Sequence, residues 1–170
     1  MSSRKSAFTA LVALGVSLFG ASAPAQAEPL RLEQFFKGNL VAEGRFRNSW
    51  IGSERGLTVK MKGTFDGKVL RLHEDFVYSD GEKDQKTWVF TKTGVGTWSG
   101  LREDVKEPAA VTTSADGSMQ FGYTARIGGY DLAFRDRLEK IDAKTVRNTA
   151  SVYVFGFIKV GEVELVMRRK

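Results

Sequence analysis

From Leu57 to the C-terminus, apolar and polar residues alternate in short runs, and this alternation limits the possible folds more than any other feature of the sequence. Alternation with a period of two is typical of β-strands that bury one face. Asp66-Gly67, Asp80-Gly81 and Asp116-Gly117 separate the runs and are strong hairpin signals. Because the connections are short, the sequence predicts an all-β, antiparallel domain in which successive strands are neighbours.

The alternating runs cover 57–65, 69–78, 87–91, 95–101, 119–127, 130–138, 146–155 and 157–167. A short amphipathic segment over 30–36 is predicted to form an N-terminal helix that Gly38 ends. In total we expect about 8–10 strands, a number typical of a sandwich or a barrel. An up-and-down order of this many strands favours closure into a barrel, because closure removes the exposed edges.

Alternation also assigns each residue to a face of the sheet. Charged residues fall on the predicted outer face, which excludes a barrel that spans the outer membrane. These outward residues are Lys60, Lys62, Arg71, His73, Asp75, Arg135 and Arg137. The predicted inward residues are Leu70, Leu72, Glu74, Phe76, Tyr78, Trp88, Phe90, Met119, Phe121, Tyr123, Ala125, Ile127, Tyr130, Leu132, Phe134, Asp136, Leu138, Val146, Asn148, Ala150, Val152, Val154, Phe157, Val163, Leu165 and Met167.

Three polar residues, Glu74, Asp136 and Asn148, interrupt this apolar inner face. A buried carboxyl group either raises its pKa or finds a partner, and Arg102 and Arg126 are candidate counter-charges. The polar residues are predicted to bind a ligand together with inward aromatic residues. These aromatic residues are Phe76, Tyr78, Trp88, Phe90, Phe121, Tyr123 and Phe134. The same pattern fits a completely filled barrel with a structural hydrogen-bond cluster, so both interpretations stay open.

The N-terminus has the features of a secretory signal peptide over 1–27. Arg4 and Lys5 precede an uncharged apolar run over 7–19, and Ala25-Gln26-Ala27 is a small-x-small cleavage pattern. We therefore expect cleavage after Ala27, export to the periplasm and a single domain over 28–170. The chain contains no cysteine, so neither a lipid anchor at the cleavage site nor disulfides are expected.

The sequence gives little support for catalysis. His73 is the only histidine and is predicted to face outward, which disfavours a Ser-His-Asp triad or a histidine-rich metal site. No glycine-rich phosphate loop or dinucleotide fingerprint is present. No cofactor, metal ligand or catalytic residue is predicted, and the remaining enzymatic hypothesis is a hydrolase that uses Glu74 and Asp136.

The charge balance of the chain is mildly basic. The predicted signal peptide takes away Arg4 and Lys5, so 24 of the 26 basic residues and all 20 acidic residues remain. This excess fits a solvated surface of mixed charge or a peripheral contact with an anionic membrane surface. The basic residues are scattered, which argues against nucleic acid as a partner. The sequence names no protein partner.

Several motifs occur in a fixed order along the chain and resemble those of the DUF3833 family, bacterial envelope proteins of unknown function. They are Phe35-Phe36-Lys37-Gly38, Gly44-Arg45-Phe46, Glu-x-Phe-x-Tyr-x-Asp-Gly over 74–81 with Trp88 after it, Asp104-Val105, Asn148, Phe155-Gly156 and Gly161-Glu162-Val163. The resemblance implies an envelope location and a lipocalin-like barrel, but no activity. Glu74, Asp136 and Asn148 fall on the family pattern. Family members resemble lipoproteins and carry Asp-Asp-Trp where this chain has Arg135-Asp136-Arg137.

The sequence thus predicts an exported periplasmic protein that binds a lipid or another apolar small molecule in a β-barrel. The alternative is a non-enzymatic structural or interaction module of the cell envelope whose barrel is filled.

Overall fold

The alternating segments fold into a single closed sheet in the computed structural model, which describes residues 28–170. The predicted signal peptide lies outside the described residues. The elements are α1 (Leu32–Phe35), β1 (Gly38–Asn48), β2 (Ser53–Phe65), β3 (Val69–Tyr78), β4 (Lys83–Gly94), β5 (Thr97–Leu101), β6 (Ala109–Thr113), β7 (Met119–Ile127), β8 (Tyr130–Lys140), β9 (Thr145–Val154) and β10 (Ile158–Arg169).

The strands lie around the barrel in chain order, and every neighbouring pair is antiparallel. The barrel closes where β1 pairs with β10, from Leu40 opposite Arg169 to Asn48 opposite Gly161. The predicted all-β, up-and-down, lipocalin-like barrel with a short N-terminal helix is therefore confirmed.

Tight turns connect the strands, as the sequence predicts. In the turn between β2 and β3, the Oδ1 atom of Asp66 accepts hydrogen bonds from the backbone N–H groups of Lys68 (2.9 Å) and Val69 (2.7 Å). Gly67 has a φ of 102°, which an L side chain rarely adopts. This local chemistry forces β3 back alongside β2 and fixes their register.

The helix α1 closes one end of the barrel. It has only four residues, too few for a helix to be stable by its own hydrogen bonds. Its position comes from burial, since Leu32, Phe35 and Phe36 pack into the core. The backbone N–H of Leu30 donates to the carbonyl of Gly117 at 2.9 Å, and this bond ties the segment to the turn before β7.

The structure differs from the sequence prediction at strand boundaries. β1 and β6 were not predicted as strands, and β4 extends well beyond the predicted 87–91. The inner face of β1 contains the small residues Ala42 and Gly44, so its alternation lacks a clear apolar signal. β4 begins with four polar residues, 83–86, so its first part shows no alternation of apolar and polar residues.

The inward assignment was wrong for Ile127, Tyr130 and Phe157, which are exposed. Ile127 and Tyr130 flank the turn between β7 and β8, so their side chains lie at the end of the barrel wall. Phe157 precedes β10, where a β-bulge between Lys159 and Gly161 shifts the register. A one-residue shift exchanges the inner and outer faces of a strand.

We predict that Gly63→Ala destabilises the barrel, because a Cβ atom at this position lies 1.8 Å from the carbonyl oxygen of Phe36. The clash separates the helix segment from β2 and costs about 1–3 kcal/mol of unfolding free energy. Gly122→Ala is the matched control, since its Cβ lies 3.5 Å from the nearest atom. Urea unfolding of both variants measures the difference. Equal stabilities would show that the helix segment does not press on β2.

Candidate functional site

A pair of buried polar side chains lies between β8 and β9. Asn148 donates a hydrogen bond from Nδ2 to the Oδ1 atom of Asp136 at 2.8 Å, and both residues are buried. The other carboxyl oxygen of Asp136, Oδ2, is buried without a hydrogen-bond partner among the described residues. Buried polar atoms are nearly always hydrogen-bonded. An acceptor without a partner inside the barrel is therefore unusual.

Arg102 supplies a positive charge in the interior. This side chain follows β5 and is almost completely buried, with Nη1 at 3.9 Å from the Oε2 atom of Glu74. It also holds the carboxylate of Asp104 through Nε at 2.7 Å and Nη2 at 3.2 Å. Of the two candidate counter-charges predicted from the sequence, Arg102 is thus the one that lies beside Glu74. Arg126 is not, because it is exposed and pairs with Asp131 at 3.1 Å.

Burial shifts both inward carboxyl groups toward their neutral forms. Desolvation raises the pKa of Glu74 to about 7, with Arg102 lowering it and Asp136 raising it further. Desolvation likewise raises the pKa of Asp136 to about 6, although the hydrogen bond from Asn148, the charge of Arg102 and the nearby Tyr123 hydroxyl act in the opposite direction. That hydroxyl still makes no hydrogen bond of ordinary geometry to Oδ2. Burial also raises the pKa of Tyr123 well above its ordinary value, so its phenol stays protonated. The interior therefore changes charge near neutral pH.

Aromatic rings surround the polar side chains of the interior. We call these side chains the polar cluster; they are Glu74, Lys86, Arg102, Asp104, Asp136 and Asn148. Trp88 lies at the centre, stacked on Phe90 at 5.1 Å and edge-on to Phe121 at 5.8 Å and to Tyr123 at 5.0 Å. Tyr123 in turn stacks on Phe134 at 5.0 Å. The guanidinium of Arg102 lies 4.8 Å from the Trp88 ring and 5.5 Å from the Tyr123 ring. Such contacts stabilise a buried cation by roughly 1–2 kcal/mol.

The predicted aromatic residues divide into two groups. The five rings centred on Trp88 form one continuous group around Arg102. Phe76 and Tyr78 stack on each other at 6.2 Å near the end of β3, where Arg55 lies 3.8 Å above the Tyr78 ring. Trp88 and Phe90 are buried, while the other predicted aromatic residues are only half-buried. The half-buried rings thus keep part of their surface in contact with solvent.

The sequence missed two members of the polar cluster, Lys86 and Asp104. Lys86 Nζ lies 3.5 Å from the Oδ2 atom of Asp104 and 3.2 Å from the Oδ2 atom of Asp84. Lys86 has the same strand parity as Trp88, so a correct start for β4 would have placed it on the inner face. Asp104 lies in the connection between β5 and β6, where no periodicity shows which way a residue points.

The inward position of Glu74, Asp136 and Asn148 is confirmed, and His73 is exposed on the outer face. Their part in ligand binding stays a prediction. Two depressions of the described surface, of about 300 and 370 Å³, lie away from the polar cluster. One is lined by Asp116 and Arg137, the other by Gly56 and Tyr78. A ligand that binds near the polar cluster therefore has to contact the half-buried aromatic rings rather than either depression.

Within residues 28–170, no group of three or more His, Asp or Glu side chains is arranged to hold a metal ion. The same part of the chain contains no helix that is long and apolar enough to cross a membrane.

The family model for DUF3833, described as a protein of unknown function, matches residues 11–169. The chain belongs to the DUF3833 family. No curated protein matches the sequence significantly.

A solved structure shares the barrel of this DUF3833 protein. The S-type phycobiliprotein lyase of Guillardia theta superposes with a TM-score of 0.59 at 14% identity, over 83% of this chain and 94% of the lyase. A redesigned β-barrel, mFAP0, solved bound to DFHBI, gives a TM-score of 0.45 at 11% identity, over 80% of this chain and 100% of the design. At these identities the lyase shows a common fold alone.

We predict that the stability of this DUF3833 protein falls between about pH 4 and pH 7 because of Glu74 and Asp136. Their pKa values in the folded state, about 7 and about 6, exceed the ordinary 4.5 and 3.8. As the pH rises, the unfolded chain releases protons that the folded protein keeps, and ionisation therefore favours unfolding. For Glu74 the loss is on the order of 3 kcal/mol and is complete above its folded pKa.

Glu74→Gln removes this contribution, so the stability of the variant relative to the wild type should increase from pH 4 to pH 7. Thermal unfolding across this range measures the difference. Glu43→Gln is the control, because Glu43 is exposed on β1 and lies 3.9 Å from Arg168. A Glu74→Gln profile parallel to that of the wild type would contradict the prediction, because it would mean that Glu74 has the same pKa in the folded and the unfolded protein.

Proposed function

We propose that this DUF3833 protein binds a small, largely apolar molecule inside its barrel, and that one hydrogen-bond donor of the ligand meets Asp136. The observation that carries the proposal is the buried Oδ2 atom of Asp136, which has no partner among the described residues. Leaving such an acceptor unpaired costs roughly 1–3 kcal/mol, and a ligand N–H or O–H recovers this energy. The half-buried rings of Phe121, Tyr123 and Phe134 supply apolar contacts beside it.

The polar cluster orients a ligand by charge as well as by shape. Asn148 fixes one carboxyl oxygen of Asp136, so the free oxygen has a defined direction. Arg102 is already neutralised by Asp104 and packs against Trp88, which makes it part of the wall. A neutral or cationic donor suits this site better than an anion, because Glu74 and Asp136 contribute negative charge above their pKa values.

A lipid is the ligand class that best fits the rest of the chain. The predicted signal peptide over 1–27 supports export to the periplasm, where membranes are the main source of apolar molecules. A lipid ligand also requires access to a bilayer, which agrees with the predicted peripheral contact with an anionic membrane surface. We therefore propose a periplasmic protein of the cell envelope that holds a lipid or a lipid-like molecule.

The stacked rings favour one alternative, a structural or interaction module with a filled barrel. The ring centroids of Phe90, Phe121 and Tyr123 lie 5.0–5.8 Å from that of Trp88, so these rings are closely packed. Native mass spectrometry of the protein isolated gently from its own compartment distinguishes the two functions. A bound mass that solvent extraction removes supports the carrier, while a bare polypeptide mass favours the filled barrel.

We predict that Asp136→Asn weakens the binding of 1-aminoanthracene, an apolar ring system with one amine donor. Losing a hydrogen bond to a carboxylate costs roughly 1.5–3 kcal/mol, which corresponds to about 10–100-fold in Kd. The fluorescence of the probe measures its Kd. Asp75→Asn is the matched control, because this carboxyl lies on the outer face and accepts a hydrogen bond from Gln85 at 2.7 Å.

Equal affinities of the Asp136→Asn and Asp75→Asn proteins, with both folded by circular dichroism, would contradict the role of Asp136. Failure of the wild type to bind the probe, together with a bare mass, would contradict the carrier function itself.

A further inference from the structure

The end of the barrel opposite α1, here called the rim, is formed by five connections. Neighbouring strands are antiparallel throughout the closed sheet, so all odd-numbered strands end on the same side. The connections after β1, β3, β5, β7 and β9 therefore meet at the rim, while α1 packs at the other end.

Exposed apolar side chains concentrate at the rim. Of the ten large apolar residues that are exposed among the described residues, eight lie at this end, and six of these occupy just three hairpin turns. We call these six residues the apolar half-rim. They are Trp50 and Ile51 between β1 and β2, Ile127 and Tyr130 on either side of the turn between β7 and β8, and Phe155 and Phe157 between β9 and β10.

The three turns are consecutive around the barrel. The circular strand order places β2 and β1 beside β10 and β9, followed by β8 and β7. The half-rim is therefore one continuous arc of turns that project past the barrel wall in the same direction. Several projecting tips on one side suit a flat, extended surface, whereas a peptide ligand needs a groove or a strand edge.

Charge divides the rim in the same way. The segments of the apolar half-rim, 46–55, 124–133 and 152–161, contain four basic and two acidic residues. The two remaining connections, 77–86 and 101–110, contain four basic and six acidic residues. The apolar arc is thus the more basic part of the rim, and an anionic surface attracts it while repelling the opposite arc.

Phe155 adopts an unfavourable backbone conformation at the tip of its turn. Its φ is 51°, a left-handed value that bulky residues rarely adopt, and its side chain is 80% exposed. Gly156 follows with a φ of 77°, which makes a turn where Asn-Gly is the usual pair. No burial within the protein compensates for this phenylalanine, so a contact outside the chain is its most economical explanation.

We propose that the apolar half-rim inserts into the interfacial region of an anionic lipid bilayer. Tryptophan, tyrosine and phenylalanine are the side chains that favour this region, and basic residues beside them add attraction to acidic headgroups. Rim docking does not depend on a ligand in the barrel, so the two proposals succeed or fail independently.

The tryptophans provide a direct readout. Trp50 is 63% exposed, whereas Trp88 and Trp98 are 4% and 3% exposed. A blue shift and reduced acrylamide quenching on mixing with vesicles therefore report on Trp50. We expect both signals, with sedimentation of the protein, for vesicles of phosphatidylcholine and phosphatidylglycerol, and weaker binding to phosphatidylcholine alone.

Phe155→Asn separates docking from folding. Asparagine accepts the left-handed conformation, so the variant should melt about 2–4 °C higher than the wild type. At the same time it loses a large apolar contact with the bilayer, and vesicle binding should weaken about tenfold. Val95→Asn is the control, since Val95 is fully exposed in the turn at the opposite end.

Either of two kinds of result would overturn the proposal, one from vesicle binding and one from self-association. The first is vesicle binding that Phe155→Asn and Phe157→Ser leave unchanged, or no vesicle binding by the wild type. The second is a concentration-dependent blue shift without vesicles, accompanied by a dimer in analytical ultracentrifugation, which would assign the half-rim to a second copy of the chain.

Discussion

Closure of the barrel depends on the pairing of its first strand with its last. β1 and β10 are far apart in sequence, and their pairing brings the two ends of the described chain together. Every other strand pairs with its neighbour through a short connection, so this one pairing converts an open sheet into an enclosed interior. The buried cluster around Arg102 depends on that enclosure, because an open sheet would leave its charges in water, where their pKa values are ordinary.

The interior contains charged groups where apolar residues would make the barrel more stable. A barrel of this size can be filled with aliphatic residues, as part of this one is, yet Glu74, Arg102 and Asp136 place charge at its centre. Replacing buried ionic groups by apolar residues is often stabilising, so their presence alone is weak support for a stabilising role. The aromatic shell and the bond between Asn148 and Asp136 hold the groups in defined positions, as a binding site requires.

The sequence predicted the barrel well because its information is local. Asp66-Gly67 identifies a turn without reference to the rest of the chain, and alternation places Glu74 and Asp136 on the inner face. Features that depend on distant contacts were missed. β1 carries small inward residues and is recognised only through its partners. Asp104 joins the cluster because the connection between β5 and β6 runs alongside β7, where the backbone N–H of Arg126 donates to the carbonyl of Asp104 at 2.8 Å.

Because α1 closes one end of the barrel, the two ends differ, and this difference affects how a ligand would enter and leave. With α1 seated at one end, the rim is the end left for a ligand of the proposed carrier to enter and leave, and it also carries the apolar half-rim. Entrance and docking surface then coincide. In the proposed carrier, a hydrophobic ligand would pass between membrane and barrel at one end of the molecule, without a free aqueous intermediate.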